Sequence, residues 1–581
     1  MKPFFIFISP NTIFSMQYSE LADVYEKLES TQSKLKKADI LAELFSKASS
    51  KDLSKLAFLA SGRVFSSYSK EVIGIGSKLM VKAISRATGF STRDVEKKFK
   101  EEGDLGLAAA RFVESRKQQT LMKRKLTLDK VFNNVRELPT ITGSRSQEKK
   151  MNTIAELFAS AEPKEAIYIT RTILEELRVG VARGIIRDAI TKAFLDPQDK
   201  EEKKEYTEKV DYAYNILSDF SEVARIAKED GLKGLEKASV KLGQPIHLML
   251  GEKAESIEEV MKKFGKVAVE FKYDGMRAQI HKKGDRIWIF TRRLDDVTKQ
   301  FPDLVELCRE RLKPKNCVVE GEVLAMNSET GYPMPFQKLS QRIQRKYDIE
   351  EMAEKIPVEL DLFDIMYKNG KMLFDKDFIE RRKILEDSVK VKKDKFQLAK
   401  QIITDNPDEA DKFYKRALKA RQEGIFMKVL DSKYVFGRHV NGWYKIKPIM
   451  ETLDLVIVAA TWGEGKRSKW ISSYVLGCRE QETGDFLPCG MMGTGLTEEM
   501  FQEMTDRLEP LITKENGKEV KVRPEIVVEA AYQEIQKSPT YDAGYALRFP
   551  RLIKIREDKG PEEADTLERL KKLYKSQGRS G

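Results

Sequence analysis

The chain has 581 residues with a formal net charge of +13, and charged residues make up 34% of it. That length is too great for one ordinary folded core, and no apolar run approaches the roughly 20 residues that cross a bilayer. The basic excess favours a polyanionic partner such as nucleic acid, although surface charge maintained for solubility explains it equally well.

The cysteines and histidines are too scattered for several kinds of site. No C-x-x-C pair occurs, and the residues concerned are Cys308, Cys317, Cys478, Cys489, His247, His281 and His439. A zinc knuckle, a disulfide framework, a histidine metal centre and a Ser-His-Asp triad are therefore not expected. The cysteine usage indicates a reducing, intracellular compartment.

The first sixteen residues form an N-terminal extension to which we assign no function. Their apolar segment, Phe4 to Ile8, is shorter than the apolar region of about 7–15 residues in a signal peptide.

Residues 17–235 carry a helical pattern. Ser19 is expected to cap the first helix, because apolar residues then recur at the spacing of one helix face, namely Leu21, Val24, Tyr25 and Leu28. Similar amphipathic stretches cover residues 52–88, 107–117, 151–160, 164–178, 184–194 and 204–228. The basic segment 116–125 is expected to be exposed.

Near residue 240 the apolar period changes from helical to alternating. The segment AQIHKKGDRIWIFT predicts two strands joined by a turn at Lys283–Asp285. Strands and helices then mix as far as Pro448, which predicts an α+β domain. Beyond it, about five short strands such as LDLVIVAA and SYVLGC favour a small barrel, followed by a charged helix in 561–581.

The segment EFKYDGMR places Lys272 at the end of an apolar strand, before a glycine turn and Arg277. A free lysine has a pKa near 10.4, and nearby cations or desolvation lower such a pKa and make the amine a nucleophile. Arg277 and Arg292 are cations nearby in sequence, and the fold could add Lys445 and Lys447. Taken alone, this segment is more commonly a strand end with surface charges.

Three further segments carry chemistry. Glu320 and Glu322 fall on one face of the strand CVVEGEVLAM, where they either hold Mg²⁺, orient a ribose or form a solvated edge. Phe363 in VELDLFDIMY is either a core aromatic or a platform that stacks on a base. Lys445 and Lys447 share one strand face in WYKIKP and suit a triphosphate.

The segments KYDGMR, FTRRLDDVT, EGEV, LFDIMY, EGIFMK and WYKIKP stand in the order of the nucleotidyltransferase motifs of ATP-dependent DNA ligases. The chain resembles the archaeal replicative type, which is similar to eukaryotic DNA ligase I. ALRFPRLIKIREDKGPEEADT resembles the last motif of that family, and GDLGLAAARF and ILEELRVGVARGIIRDAI resemble its helical DNA-binding domain. The resemblance runs from about Tyr18 to the end of the chain.

The resemblance implies a multidomain fold. An all-α DNA-binding domain is expected over 17–235, an α+β nucleotidyltransferase (adenylation) domain over 236–448, and a C-terminal β-barrel OB-fold domain with a terminal helix over 449–581. The implied activity seals 5′-phosphate/3′-hydroxyl nicks in duplex DNA through a lysine–AMP and a DNA-adenylate, in replication, repair and recombination. ATP and Mg²⁺ are the implied cofactors, with Mn²⁺ as an alternative, and the archaeal cell interior is the implied location. A monomer is expected because the sequence shows no obvious dimerisation seam.

The motifs also imply a role for each site residue. Lys272 resembles the lysine that accepts AMP, Glu270 and Phe363 the adenine contacts, and Glu322 and Glu423 the carboxylates for ribose or metal. The other implied nucleotide contacts are Arg277, Arg292, Lys428, Arg438, Lys445 and Lys447. Further motif members are Asp274 and Glu320 and, in the C-terminal motif that orients the leaving pyrophosphate, Arg548, Arg551, Arg556, Asp558 and Lys559.

The chain departs from the family pattern in three places. Leu248-Met249-Leu250-Gly251 stands where the family usually has Pro-Met-Leu-Ala. Gly437-Arg438-His439 replaces Gly-Arg-Arg, so either Arg438 or His439 faces the nucleotide. Residues 118–122 read QQTLM at the place of a sliding-clamp peptide of the form Gln-x-x-aromatic-aromatic, so the clamp is a candidate partner whose usual peptide is incomplete here.

Two rival functions are weighed against this one. An RNA ligase or an mRNA capping enzyme shares the lysine–nucleotide chemistry but is not expected to carry a long helical region before the lysine. A catalytically inactive nucleic-acid-binding scaffold is expected to lack the lysine or to break a motif, and every motif here is intact. An NAD-dependent ligase is disfavoured because no four-cysteine zinc site is present.

Overall fold

The computed structural model describes residues 16–116, 124–345, 347–437, 442–448, 451–463 and 467–577. The expectations for the N-terminal extension, for the clamp peptide at 118–122, and for Arg438 and His439 lie outside the described residues.

The first part of the chain is helical. Its α-helices are α1 (Tyr18–Glu29), α2 (Lys34–Lys47), α3 (Ser50–Ala60), α4 (Ser77–Thr88), α5 (Thr92–Glu102), α6 (Leu105–Glu114), α7 (Leu128–Glu137), α8 (Ser146–Ser160), α9 (Pro163–Ile173), α10 (Arg183–Phe194), α11 (Lys200–Leu217) and α12 (Phe220–Glu236). The side chains of Ser33, Ser49 and Ser91 accept hydrogen bonds from backbone amides and cap α2, α3 and α5. The apolar faces of the helices pack into one core.

Three details of the helical prediction differ from the structure. The first helix is capped by Gln17 rather than Ser19, because the backbone of Gln17 bridges that of Thr127 and this distant contact decides where the helix begins. The stretch 204–228 holds two helices, α11 and α12, since Ser218 adopts a left-handed backbone (φ 51°) between them. In the same way, α3 and α4 lie in one predicted stretch with an irregular segment between them.

The middle of the chain mixes strands and helices. The helices are α13 (Ile257–Phe264), α14 (Pro302–Arg311), α15 (Phe336–Ile343), α16 (Ile349–Lys355), α17 (Phe378–Ser388) and α18 (Pro407–Lys419). The strands are β1 (Glu252–Lys253), β2 (Val267–Lys272), β3 (Met276–Lys283), β4 (Arg286–Thr291), β5 (Asn316–Ala325), β6 (Val358–Lys368), β7 (Lys371–Met372), β8 (Phe396–Leu398), β9 (Gln401–Thr404), β10 (Gly424–Val429) and β11 (Trp443–Ile446).

These strands form two sheets. One has the order β1-β11-β10-β2-β9, and the other has the order β4-β3-β5-β6-β7 with β8 beside β6. The predicted hairpin with a turn at Lys283–Asp285 is confirmed, because β3 ends at Lys283 and β4 begins at Arg286. The chain passes from the first sheet to the second between Lys272 and Met276, so that turn lies where the two sheets meet.

The last part of the chain is rich in short strands. It contains β12 (Leu453–Trp462), β13 (Ile471–Arg479), β14 (Phe486–Met492), α19 (Glu498–Leu508), β15 (Ile512–Asn516), β16 (Glu519–Val522), β17 (Val527–Ala531), β18 (Glu534–Lys537), β19 (Tyr545–Arg548), β20 (Arg551–Ile555) and α20 (Leu567–Ser576).

The C-terminal strands form a seven-stranded sheet and a separate β18–β19 hairpin. This is more than the five or so strands predicted, partly because the segment IVVEAAYQEI contains β17 and the start of β18. In the seven-stranded sheet β12 pairs with β13, β16 and β17, and β17 also pairs with β20. The closed OB-fold barrel stays a prediction. Among the described residues, no helix combines the length and apolar character needed to cross a membrane.

Candidate active site

Lys272 lies at the point where the two central sheets meet. The strand β2 is buried along VAVEF and ends on Lys272, and the turn Tyr273–Gly275 leads into β3. A Cβ atom on Gly275 would lie 2.3 Å from the carbonyl oxygen of Val323. Only glycine therefore lets this turn approach β5 so closely, which explains the glycine that follows the lysine and aspartate.

Glu423 holds two lysine amines at its carboxylate. Oxygen Oε2 of Glu423 contacts Nζ of Lys272 and lies 2.6 Å from Nζ of Lys447. The backbone amide of Glu423 also donates to the carbonyl oxygen of Lys272 at 2.9 Å. Burial opposes ionisation of this carboxyl, but Lys272 and Lys447 outweigh burial and lower the pKa of Glu423 to about 2.

Glu322 is the second carboxylate near Lys272, and its ionisation is shifted the other way. Burial raises the pKa of Glu322 to about 8, although the charges of Lys272 and Arg277 act against this, and the carboxylates of Glu423 and Asp274 reinforce it. The site thus pairs one firmly ionised carboxylate with one that is easily protonated. Within the described residues, no group of three or more His, Cys, Asp or Glu side chains could hold a metal ion by itself.

A buried ion pair joins the same two strands further from the site. It is formed by Glu270, which lies two residues before Lys272 on β2, and Lys428 on β10. Oxygen Oε2 of Glu270 lies 2.6 Å from Nζ of Lys428, and both side chains are only 2% exposed. Gln401 donates to Oε1 of Glu270 at 2.8 Å, and the guanidinium of Arg382 lies 3.6 Å from the same oxygen. Burial lowers the pKa of Lys428, and Glu270 works against that effect. Nζ of Lys428 lies 4.2 Å from the ring centre of Trp443.

Arg277 is anchored inside the protein. It donates to Oε2 of Glu320 and to the carbonyl oxygen of Met249, each at 2.7 Å. Its guanidinium lies 5.4 Å from the ring centres of both Phe363 and Trp443. Phe363 is 9% exposed and sits at an irregularity in the pairing of β5 with β6, which turns its side chain out of the regular alternation.

Lys445 and Lys447 have different partners. Lys445, on β11, donates to the carbonyl oxygen of Gly251 at 3.0 Å. Lys447 follows the end of β11 and pairs with Glu423. The structure thus brings Lys447 to Lys272, and it brings Lys445 to the neighbouring strand β1.

Arg292 lies elsewhere. It is exposed in the turn after β4 and lines a cleft of about 630 Å³ together with Arg63 and Arg183 of the helical part. In the same turn, Asp296 pairs with Lys70 of the helical part at 3.0 Å. The predicted position near the ribose or the nick's 5′-phosphate stays a prediction.

The predicted residues of the C-terminal motif contact their own domain and α15. A carboxylate on β12, Asp454, accepts from Arg556 and Lys559 at 2.7 Å, and Arg556 also pairs with Asp558 at 2.7 Å. Arg548 pairs with Glu534 at 3.0 Å and lies 6.0 Å from the ring centre of Phe336 in α15, while Arg551 is exposed on β20. Their described contacts do not include Lys272 or Glu423.

Sequence reasoning missed four residues that shape this geometry. Arg382 and Gln401 hold Glu270, Trp443 covers Lys428 and Arg277, and Asp454 binds two cations of the last motif. Trp443 is the first residue of the segment WYKIKP, so its place in that motif could have identified it from the sequence. The other three carry no signal in their local sequence, because their partners lie far away along the chain.

Comparison with known proteins gives consistent matches along the chain. The family model described as "DNA ligase N terminus" matches residues 17–191, "ATP dependent DNA ligase domain" matches 248–447, and "ATP dependent DNA ligase C terminal region" matches 467–559.

Curated relatives match over almost their full length. The DNA ligase of Thermococcus fumicolans is 44% identical over 565 residues, covering 97% of this chain and 99% of that protein. The DNA ligase of Nanoarchaeum equitans is 45% identical over 571 residues, with the same two coverages. The solved structure named Pmar-Lig_Pre covers 93% of this chain and 99% of its own at a TM-score of 0.57 and 16% identity, which supports the fold alone. With full-length relatives at this identity, the chain belongs to the family of ATP-dependent DNA ligases.

Proposed function

We propose that this protein seals nicks in duplex DNA through an AMP group carried on Lys272, using ATP as its family does. The observation that carries the proposal is the position of Lys272, which ends a buried strand beside two carboxylates and a second lysine, Lys447. The family matches favour a DNA substrate over an RNA ligase or a capping enzyme. The intact motifs argue against an inactive scaffold.

Three transfers follow from this arrangement. First, Nζ of Lys272 loses a proton and bonds to the α-phosphorus of ATP, while the bond to the β-phosphate oxygen breaks and pyrophosphate leaves. Next, an oxygen of the nick's 5′-phosphate displaces Lys272 from the AMP phosphorus. Finally, the 3′-hydroxyl attacks that 5′-phosphorus and AMP departs. Because negative charge moves in each step, positioning and cationic side chains such as Lys447 are expected to supply most of the catalysis.

The adenine is proposed to bind beside the buried ion pair of Glu270 and Lys428. Phe363 and Trp443 supply aromatic surface there, and the carboxylate of Glu270 is an acceptor suited to the exocyclic amine. Arg277 supports this wall from inside, since its own hydrogen bonds go to Glu320 and Met249.

The residues near Lys272 fit a Mg²⁺ ion that is held jointly by protein carboxylates and by the phosphates of the nucleotide. Glu322 and Glu423 supply two carboxylates, and Mg²⁺ is commonly held by one or two carboxylates together with substrate phosphates and water. The ion would neutralise charge on the phosphate oxygens; Mn²⁺ has similar ligand preferences.

The domain limits are proposed as 17–235, 236–448 and 449–581. The last helix of the first part ends at Glu236, and strands begin again at Glu252 and Leu453. A monomer is proposed, because one chain supplies every residue of the site. For Arg556 and Lys559 to reach the pyrophosphate, the C-terminal domain is proposed to move, since their described contacts lie within that domain and do not include Lys272 or Glu423.

The test is incubation with α-labelled ATP and Mg²⁺, followed by denaturing electrophoresis and a chase with nicked DNA. We expect a labelled band that discharges onto the DNA to give sealed product, and no band for Lys272→Ala. Lys283→Ala is the matched control, because Lys283 also ends a strand but is exposed and outside the site. Label on another lysine would refute the assignment, and label that chases only onto an RNA nick would refute the DNA substrate.

A further inference from the structure

An arginine and a tyrosine outside the predicted motifs stack on one another beside the site. The guanidinium carbon of Arg421 lies 4.7 Å from the ring centre of Tyr332. Tyr332 is 47% exposed. Within the described residues, no hydrogen bond or ion pair involves the guanidinium of Arg421 or the hydroxyl of Tyr332. The donor N–H groups of Arg421 are thus available to a ligand that comes from solvent.

The backbone at Arg421 is one that glycine usually occupies. Arg421 follows α18 in a left-handed conformation (φ 60°). Its amide donates to the carbonyl of Leu418, and the amide of Gln422 donates to that of Ala417, which is the hydrogen-bond pattern of a Schellman helix end. An arginine in this position is strained relative to glycine. Its charge is also not needed to complement the helix end, because Arg416 and Lys419 already lie in the last turn.

The stack is tied on both sides to elements of the active site. The side chain of Gln422 accepts from the amide of Asp274 at 3.2 Å, and Glu423, the partner of Lys272, stands two residues after Arg421. Two residues span at most about 7 Å. On the other side, Tyr332 lies in a loop that follows β5, the strand of Glu322.

The Tyr332 loop is ordered by its own hydrogen bonds. The side chain of Asn327 accepts from the amides of Glu329 and Thr330, each at 2.9 Å. The amide of Asn327 donates to the carbonyl of Tyr332 at 3.0 Å. The ring is therefore presented on a fixed loop, and it covers one face of the guanidinium while the edge of the guanidinium stays available.

We propose that Arg421, supported by Tyr332, binds a phosphate of the nucleic-acid strand that enters the active site. A guanidinium edge matches the oxygens of one phosphate, and a ring against its face orients it. The partly exposed position of Arg421 beside the exposed Tyr332 favours a strand phosphate over those of ATP, whose adenine is proposed to bind beside the buried pair of Glu270 and Lys428. This inference rests on the proposed function, and it adds a substrate contact that the motifs do not supply.

The test compares two reactions of the full-length enzyme carrying Arg421→Gln. In the first, formation of the lysine–AMP is measured against ATP concentration. In the second, sealing is measured against nicked-DNA concentration, and DNA binding is measured at several salt concentrations. We expect the KM for nicked DNA to rise by about tenfold. The slope of log affinity against log salt concentration should become shallower by about one, which corresponds to one lost phosphate contact. The KM for ATP should not change.

Further variants separate a phosphate site from a merely structural stack. Lys415→Gln is the matched control, because Lys415 lies in α18, the helix that precedes Arg421, but its charge is paired with Asp411 at 2.6 Å. Tyr332→Phe should behave as wild type, and Tyr332→Ala should give a smaller rise in KM than Arg421→Gln. A rise in the KM for ATP alone would show that Arg421 binds a phosphate of the nucleotide, and it would overturn the proposal of a strand phosphate. Unchanged values in both reactions would overturn the proposal, while a wild-type enzyme without lysine–AMP would overturn the function itself.

Discussion

At the scale of single residues, the site is organised by carboxylates that share cations. Glu423 contacts both Lys272 and Lys447, and Glu270 contacts Lys428 with Arg382 nearby. Removing one member of a buried pair leaves an uncompensated charge, which costs far more than the pair itself contributes. The cationic side chains near the proposed nucleotide site are thus held in place before any ligand arrives.

Lys428→Met is expected to destabilise the central domain by about 3–5 kcal/mol, because Glu270 would remain buried without its nearest cation. The measurement is the apparent midpoint of thermal or urea unfolding at neutral pH. Lys415→Met removes an exposed, solvent-screened pair with Asp411 and should leave the midpoint close to that of the wild type. Equal midpoints for both variants would contradict the view that the Glu270 pair is a buried charge that needs its partner.

The residues of the chemistry were identified from contiguous segments, but their partners were not. The segment EGIFMK indicates that Glu423 and Lys428 matter, yet Glu423 pairs with Lys272 and Lys428 pairs with Glu270 only through the registry of β2 with β10. Nothing in a single sequence aligns strands about 150 residues apart. The roles carried over from the family for these residues stay predictions.

At the scale of elements, the linker between the helical and central parts is fastened to β3. The amide of Gly243 donates to Nδ1 of His281 at 3.2 Å, and Nε2 of His281 contacts Oε1 of Gln279 at 2.9 Å. The side-chain amide of Gln279 also accepts a hydrogen bond from the backbone amide of Ile246 and donates one to the carbonyl oxygen of Ile246. Because Nδ1 accepts a hydrogen bond, this clasp requires a neutral imidazole with its proton on Nε2.

The clasp predicts a loss of stability in acid. Burial lowers the pKa of His281 to about 3, whereas an unfolded histidine has a pKa near 6.5. The unfolded chain therefore binds the proton first, and stability should fall as the pH drops below about 6.5 and on toward 3. His281→Gln cannot titrate, so its unfolding midpoint should fall less than that of wild type between pH 7.5 and pH 5. An identical fall in both proteins would contradict the prediction.

Some elements followed directly from local pattern and others did not. The β3–β4 hairpin was confirmed, because a Lys-Gly-Asp turn between alternating strands is a local signal. The break between α11 and α12 was missed, since Ser218 adopts a left-handed backbone that apolar periodicity does not reveal. The β18–β19 hairpin was not anticipated, because β17 and β18 lie in one apolar stretch of sequence.

At the scale of the whole molecule, the helical part packs Ile216 and Tyr212 of α11 against the core of the central part, and polar contacts join the parts as well. Lys70 of the helical part pairs with Asp296 at 3.0 Å, and Gln337 of α15 donates to Glu534 of the C-terminal part at 3.1 Å. A polar interface such as the one between α15 and the C-terminal part normally allows a domain to move relative to its neighbour. The C-terminal cations, whose described contacts do not include Lys272 or Glu423, and the position of Arg292 in a cleft with Arg63 and Arg183 fit an arrangement that rearranges around DNA.

Binding to nicked DNA should be steeply dependent on salt and nearly independent of sequence. The net charge of +13 and the proposed phosphate contacts predict that affinity arises mainly from counterion release. With about six to ten contacts, affinity should fall by about 10³–10⁵ between 50 and 200 mM salt. Fluorescence titrations with two nicks of unrelated sequence measure this, and a flat salt response would contradict it.

By itself, the sequence determined the family, the succession of helical, mixed and strand-rich parts, and the identity of the chemistry-bearing residues. It did so because each motif is a short contiguous stretch whose residue types are dictated by phosphate chemistry. Tertiary structure alone decided which charges neutralise one another, such as Asp454 with Arg556 and Lys559, and where Arg421 meets Tyr332. Such contacts arise when strands and loops distant in sequence pack together, and no local propensity encodes them.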